Sequence, residues 1–311
     1  MTRRRNVYGP VPSRRFGLSL GIDPLEPKTC CYDCVYCQQG RTTTLSTTRE
    51  DLVPVTDVLA DVREALARCT PDVLTLAGSG EPTLYLSMGE LIDGLHEMCE
   101  APVVVLTNGA LMGDPQVRSE ASRAEIISPS LDAGDAETFR RINRPHPDVD
   151  FDAMVEGLRA LRQEASGRYL LEVLVARGVN DAPVHLERLA ALARSIEPDA
   201  ILVNTPVRPT PGRRQLALDG EQMQRIAAMF GPSAEVIAAR ETAHARPSTA
   251  LPRDVLAVLE RRPCTASELA ASMGIDPGDL ARTLQELGRA EAIEQTVDGH
   301  WCISGNGREK G

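Results

Sequence analysis

Lysine is almost missing from this chain: of 34 basic residues only Lys28 and Lys310 are not arginine. A catalytic lysine that works through an imine therefore has one internal candidate, Lys28. A basic surplus is missing too. The formal net charge of -10 argues against a broad nucleic-acid-binding surface, although a local basic groove fits within an acidic total. No apolar run approaches the ~18 residues of a membrane span. The basic start MTRRRNVYGPVPSRR passes into Pro, Arg and Gly without the apolar core of a secretory signal. The expectation is a cytoplasmic protein with no membrane association. Neither a repeat with a period of about 20 to 50 residues nor a long low-complexity tract is visible, which excludes a solenoid.

What is present suits one large domain and a small one: 311 residues, 42% of them hydrophobic, are enough for a real core. Short continuous apolar runs alternate with helical spacing. SLGIDPL, DVLTLAGSG, APVVVLTNG, EIISPSLDA, YLLEVLVA and DAILVNTPV read as strands. The segments between them, such as DVLADVREALARC and FDAMVEGLRALRQEA, read as helices. Strands apolar on both faces belong to a parallel sheet covered by helices. About six βα units imply an α/β fold, either an open doubly wound sheet or a partial (β/α)6 TIM-like barrel. In both, chemistry sits at the carboxyl ends of the strands, where the cysteine loop, GSGEPT, TNG, PSLDA and NTPVRPTPG all fall.

From about Thr249 the pattern changes. PRDVLAVLERR reads as a helix, Thr265 with Glu268 as a capping box opening a second, and Asp276 with Pro277 as the start of a third. AIEQTVDGHWCIS reads as two short strands about Asp298-Gly299. Three helices and a hairpin make a small winged helix-turn-helix domain. The expected boundaries are a barrel over 1–243 with its cysteine loop at 30–37, a linker over 244–251, the winged helix over 252–305 and a tail over 306–311. Between Thr249 and Ser304, five arginines face nine acidic residues, and the third helix begins with Asp276 and Asp279. DNA readers rely on positive charge, so DNA binding is not expected; contact with protein, or a lid over the barrel mouth, is.

KTCCYDCVYCQQG places four of the eight cysteines in eight residues. In a reducing compartment such a cluster reads as metal ligation or catalysis. Two registers are open: Cys30, Cys34 and Cys37 give C-x3-C-x2-C, and Cys31, Cys34 and Cys37 give C-x2-C-x2-C. The second begins like a bacterial ferredoxin, but the fourth ligand position there is Arg41. A structural zinc site wants a second Cys or His pair, and Cys69, Cys99, Cys264 and Cys302 stand apart. The five histidines show no metal spacing either. Three thiolates without a fourth describe a [4Fe-4S] cluster with one iron open to a ligand.

With Tyr36 before the last cysteine, the loop resembles that of the radical S-adenosylmethionine (SAM) superfamily, in the register Cys30, Cys34, Cys37. The resemblance implies a [4Fe-4S] cluster whose open iron chelates SAM, reductive cleavage of SAM, and a 5'-deoxyadenosyl radical that takes hydrogen from a substrate. It further implies that Gly78, Ser79, Gly80 and Glu81 match the glycine-rich SAM loop, with Glu81 accepting from the SAM ammonium. Ser130 and Asp132 fall where the ribose is bound, and Asn108 faces the same cavity. YGPVPSRRFGLSLGID, CVYCQQGRT, GSGEPTL, SLDA with RINRP, and NTPVRP together look like the wyosine-synthase-like branch over about residues 7 to 215. That branch implies a second cluster and a Schiff-base lysine. Lys28 alone and scattered remaining cysteines predict a different reaction on the same scaffold. Arg144, Arg177 and Arg208 are expected as substrate anchors, and Arg14 and Arg15, read as lying ahead of the first strand, as closing over the cluster. Cys31 is expected to be packed. The expected partners are a reductant such as flavodoxin or ferredoxin and an unidentified substrate, with an RNA base, a peptide and a metabolite all open. The alternative reading is an iron-sulfur redox sensor that acts as a regulator through its winged helix.

Overall fold

The computed structural model describes residues 6–206, 216–237, 252–261, 263–297 and 299–304. The expected linker 244–251, the tail 306–311, and Arg208, His244, Arg262 and Asp298 lie outside the described residues. An antiparallel hairpin of β1 (Val7–Ser13) and β2 (Gly17–Ile22) comes first. The cysteine loop follows, pinned by the two-residue parallel strands β3 (Thr29–Cys30) and β4 (Thr44–Leu45). Next come α1 (Val55–Leu66), β5 (Val73–Leu76), α2 (Met88–His96), β6 (Val103–Thr107), α3 (Pro115–Ala121) and β7 (Ile126–Pro129). The chain continues through α4 (Ala136–Ile142), α5 (Phe151–Glu164), β8 (Arg168–Leu174), α6 (Pro183–Ser195), β9 (Ala200–Asn204), α7 (Gly220–Phe230) and β10 (Ala234–Val236).

These strands form one sheet in the order β1-β2-β5-β6-β7-β8-β9-β10, with β1 antiparallel and every other pairing parallel. This is the α/β arrangement of βα units that the apolar runs predict. Each strand alternates. Leu20, Leu74, Leu76, Val105, Ile127, Leu171, Val173 and Val203 join the core under the helices, and the opposite face carries Ser19, Thr75, Ser128, Glu172 and Asn204. That second face is mixed: Val73, Val104, Leu170 and Leu202 are buried on it beside those polar side chains, which the runs read as wholly apolar do not suggest. Helices bury matching stripes, as α1 does with Val55, Val58, Val62 and Ala65. Among the described residues, no helix is long and apolar enough to cross a membrane.

The sequence reading omits β1, α3, α7 and β10. In β1, Gly9, Pro10 and Pro12 hide the alternation; they are tolerated because β1 is an edge strand whose register shifts between Tyr8 and Val11. Its presence corrects the placement of Arg14 and Arg15. They do not precede the first strand; they form the turn between β1 and β2.

The C-terminal elements are α8 (Pro252–Leu259), α9 (Ala266–Met273), α10 (Pro277–Arg289) and an antiparallel ribbon of β11 (Ile293–Gln295) and β12 (Trp301–Ile303). The Thr265–Glu268 capping box has both of its halves, and Asp276 accepts from the Gly278 and Asp279 amides to start α10. This unit has its own core of Val255, Val258, Leu269, Leu280, Leu284 and Ile293, which Val11 of β1 completes. β1 thus serves two cores, with Val7 in the larger one.

Candidate functional site

The cysteine loop lies against the carboxyl ends of β5, β6 and β7, tied to each by a different group. At β5, Lys28 N donates to Ser79 O at 3.0 Å and Glu81 N to Thr29 O at 3.1 Å. At β6, Asn108 Nδ2 donates to Cys30 Sγ at 3.5 Å. Beyond β7, the Tyr36 hydroxyl donates to Asp132 Oδ2. Asn143, the residue closing α4, donates through Nδ2 to Asp132 Oδ2 at 2.8 Å and to Cys34 Sγ at 3.5 Å. Two amide donors on two thiol sulfurs are what a sulfur-ligated cluster receives from its surroundings.

Cys30, Cys34 and Cys37 are partly exposed, whereas Cys31 is fully buried and packed in the large core. Burial pushes the Cys30 thiol up to about 12, with the Glu81 carboxylate and Cys37 adding to the effect. Burial raises Cys34 as well, reinforced by Cys30 and Asp132. Among the described residues, no set of three or more His, Cys, Asp or Glu side chains converges on one metal-ion position. A [4Fe-4S] cubane, in which each cysteine binds a different iron, does not ask them to. Tyr32 Oη, Gln39 Nε2 and Asn143 Oδ1 around the loop are buried with no hydrogen-bond partner. Orphaned polar atoms at a sulfur-rich strand end fit a bound group there.

Glu81 is 2% exposed. Its Oε1 accepts from Thr83 N, Thr83 Oγ1 and Thr107 Oγ1, and its Oε2 accepts from Asn108 N at 2.7 Å. Burial raises its carboxyl, against the pull of those donors. Glu81 thus fastens the end of β5 to that of β6. Asp132 is bound in the same way: Oδ1 accepts from Leu174 N at 2.9 Å, Oδ2 serves Tyr36 and Asn143, and burial raises the carboxyl. The Ser79 hydroxyl donates to Asp23 Oδ2 at 2.9 Å. Gly78 and Gly80 lie on the same loop, and Ser130 follows β7, bridging to Glu172.

Two of the arginines expected as anchors have partners within the protein. Arg144 is half-exposed and pairs with Asp33 at 3.7 Å; Asn143, one residue earlier, faces the site instead. Arg177 donates to Ala217 O and Gln222 Oε1, joining its loop to α7. On the second face of the sheet, Arg14 is bonded to Asn204 Oδ1 at 3.1 Å and Arg15 is paired with Glu172. Glu172 also accepts from Asn204 Nδ2 at 2.9 Å. Ser128, on the same face, is 2% exposed and its Oγ has no partner. Asn143 was legible only as a helix-ending asparagine, and Asn180, which donates to Asp132 O and Leu174 O, carried no signal.

Replacing Asn143 with Ala removes a donor from a buried carboxylate, so a loss of about 1–3 kcal/mol in urea unfolding is expected. Asn143→Asp sets a second carboxylate against Asp132 and is expected to cost more.

The model of the Radical SAM superfamily matches residues 27–190. A UPF0026 protein of Synechocystis sp. is 38% identical over 211 residues, 68% of this chain and 78% of that protein. A UPF0026 protein of Methanocaldococcus jannaschii is 31% identical over 227 residues, 72% of this chain and 70% of that one. A Brachyspira hyodysenteriae protein named GTPase Obg is 33% identical over 300 residues; the match takes in 95% of this chain but spans only 44% of that longer protein. Among solved structures, a radical SAM methyltransferase from Sphaerobacter thermophilus aligns with a TM-score of 0.55 at 21% identity, over 70% of this chain and 65% of that one. At that identity the likeness is one of fold.

Proposed function

The chain belongs to the radical SAM superfamily and is a relative of UPF0026 proteins, and from that premise we propose that Cys30, Cys34 and Cys37 hold a [4Fe-4S] cluster beside bound SAM. When bound, the pair supplies reductive cleavage of SAM and a 5'-deoxyadenosyl radical that takes hydrogen from a substrate. The observation that carries this reading is the bonding of the cysteine loop to three strand ends at once, through Glu81, Asn108 and the Tyr36–Asp132–Asn143 group.

The chain's own residues hold and orient. Asn108 and Asn143 donate to sulfur, which steadies thiolates that burial alone disfavours. Gly78 to Glu81 bring backbone to the SAM amino acid end, with Oε2 of Glu81 toward its ammonium. Ser130 and Asp132 serve the ribose, Asp132 with Tyr36 and Asn143 holding its carboxylate in place.

Substrate lies against the polar patch that Ser128, Glu172 and Asn204 make on the second face of the sheet, where Arg14 and Arg15 bond to Asn204 and Glu172. Two guanidiniums and one carboxylate there suit a small polar substrate bearing an anionic group. The wyosine-synthase-like likeness is one of scaffold. Lys28, the one lysine among the described residues, is built into the cysteine loop, where its carbonyl accepts from Thr43 and Thr44 amides. The C-terminal helices and ribbon form a winged helix that contacts protein and not DNA, and a flavodoxin or ferredoxin supplies the electron. The comparisons give no support to a redox-sensing regulator.

Anaerobic reconstitution, reduction and addition of SAM should release 5'-deoxyadenosine. An intact, reducible cluster that releases none rules the reading out.

A further inference from the structure

Arg261 follows the last turn of α8 and is 2% exposed. Its Nε donates to Asp23 Oδ2 at 3.0 Å, its Nη1 donates to Ala257 O at 2.9 Å, and its guanidinium lies 4.9 Å from the centre of the Tyr8 ring. Asp23, just past β2, is itself 2% exposed. The oxygen that receives Arg261 also accepts from Ser79 N at 3.1 Å and from Ser79 Oγ at 2.9 Å. A Cβ on Gly78 would come within 2.3 Å of Asp23 Cγ, so the GSGEP loop is packed against this carboxylate with no room between them. A group from the C-terminal unit and the glycine-rich loop therefore meet on one oxygen atom. Tyr8 of β1 completes the arrangement, since Gly21 leaves the space its ring fills.

We propose that Arg261 is a positioning residue for the SAM site: through Asp23 it fixes Ser79 and the backbone of Gly78 to Glu81. The C-terminal unit is then a working wall of the cofactor site and not a freestanding module. This inference rests on the assignment of Gly78–Glu81 as the SAM loop. The physical ground is direction. A guanidinium held at Nη1 by Ala257 O and stacked on Tyr8 has a fixed plane, so its Nε sets where the Asp23 carboxylate lies. Asp23 in turn sets where Ser79 lies. A shorter, rotatable ammonium supplies the charge without the direction.

The test uses the full-length, cluster-loaded protein with Arg261→Met, Arg261→Lys and Asp23→Asn, each checked for folding and iron content. Arg261→Met is expected to raise the KM and dissociation constant for SAM roughly 10- to 100-fold, the range seen when a group behind a ligand is removed. The rate at saturating SAM should hold within about threefold. Arg261→Lys should recover part of the affinity. A folded, iron-replete Arg261→Met protein with wild-type affinity for SAM overturns the proposal. Amide hydrogen exchange supplies a readout independent of turnover: exchange at Ser79, whose amide donates to Asp23, should quicken by about tenfold or more in Arg261→Lys as well as Arg261→Met. Unchanged exchange also overturns it. Should the wild-type protein release no 5'-deoxyadenosine, the proposed function fails while the exchange measurement still decides whether Arg261 holds the loop.

Discussion

Cys34→Ala is expected to abolish both the visible absorbance of the reconstituted cluster and the release of 5'-deoxyadenosine, whereas Cys31→Ala leaves both in place. Cys34 is partly exposed, accepts from Asn143 Nδ2, and begins the turn in which the Cys37 amide donates to its carbonyl at 3.2 Å. A cluster with three protein thiolates has no spare, so losing one removes the site outright. Cys31 differs in burial. Its side chain is packed in the large core, and its carbonyl accepts from His146 N at 2.8 Å, which anchors the loop from behind. Burial raises its thiol as well, with Glu81 and Cys30 adding to the effect. Cys31→Ala should therefore cost roughly 1 kcal/mol in urea unfolding and nothing in iron content. Absorbance lost on Cys31→Ala and kept on Cys30→Ala would move the ligands to the C-x2-C-x2-C register.

The parts of the fold that announce themselves in the sequence are those whose signal is local. Thr265 with Glu268 and Asp276 with Pro277 are caps that need only their own next turn, and both are present. The alternation of apolar runs with helical spacing is local as well, and it yields the parallel sheet. What escaped depends on distant partners. Arg261 reads as one more arginine in an acidic helical unit; its burial is visible only once Asp23, more than two hundred residues away, is beside it. Arg14 and Arg15 point to Asn204 and Glu172 only because β1, disguised by its prolines, folds back on β2. Asn143 hides behind its ordinary role as the residue closing α4. The bond from the Ser79 hydroxyl to Asp23 is hidden for the same reason, since its two ends follow different strands.

Gly80→Ala is expected to disable the cluster site through the backbone alone. A glycine-rich strand end reads as room for a ligand, but at Gly80 the room is taken by the protein. A Cβ there would stand 2.0 Å from Thr29 O and 3.0 Å from Thr29 C, both main-chain atoms. Two hydrogen bonds flank the contact, Lys28 N to Ser79 O at 3.0 Å and Glu81 N to Thr29 O at 3.1 Å. They join the loop that is proposed to bind SAM to the loop that is proposed to hold the cluster. Relief of the clash means pushing Thr29 away, and Thr29 is covalently followed by Cys30. Overpacking of this kind costs about 1–3 kcal/mol, which urea unfolding will register. The larger effect falls on geometry: Cys30 and Glu81 move relative to each other, so iron content and SAM cleavage should fall together. Gly220→Ala is the matched control. A Cβ at this first residue of α7 meets nothing within 4 Å, so stability should be unchanged or slightly higher. A Gly80→Ala protein with wild-type iron content would show that the two loops move independently, and the close approach of Gly80 to Thr29 would then have no part in building the site.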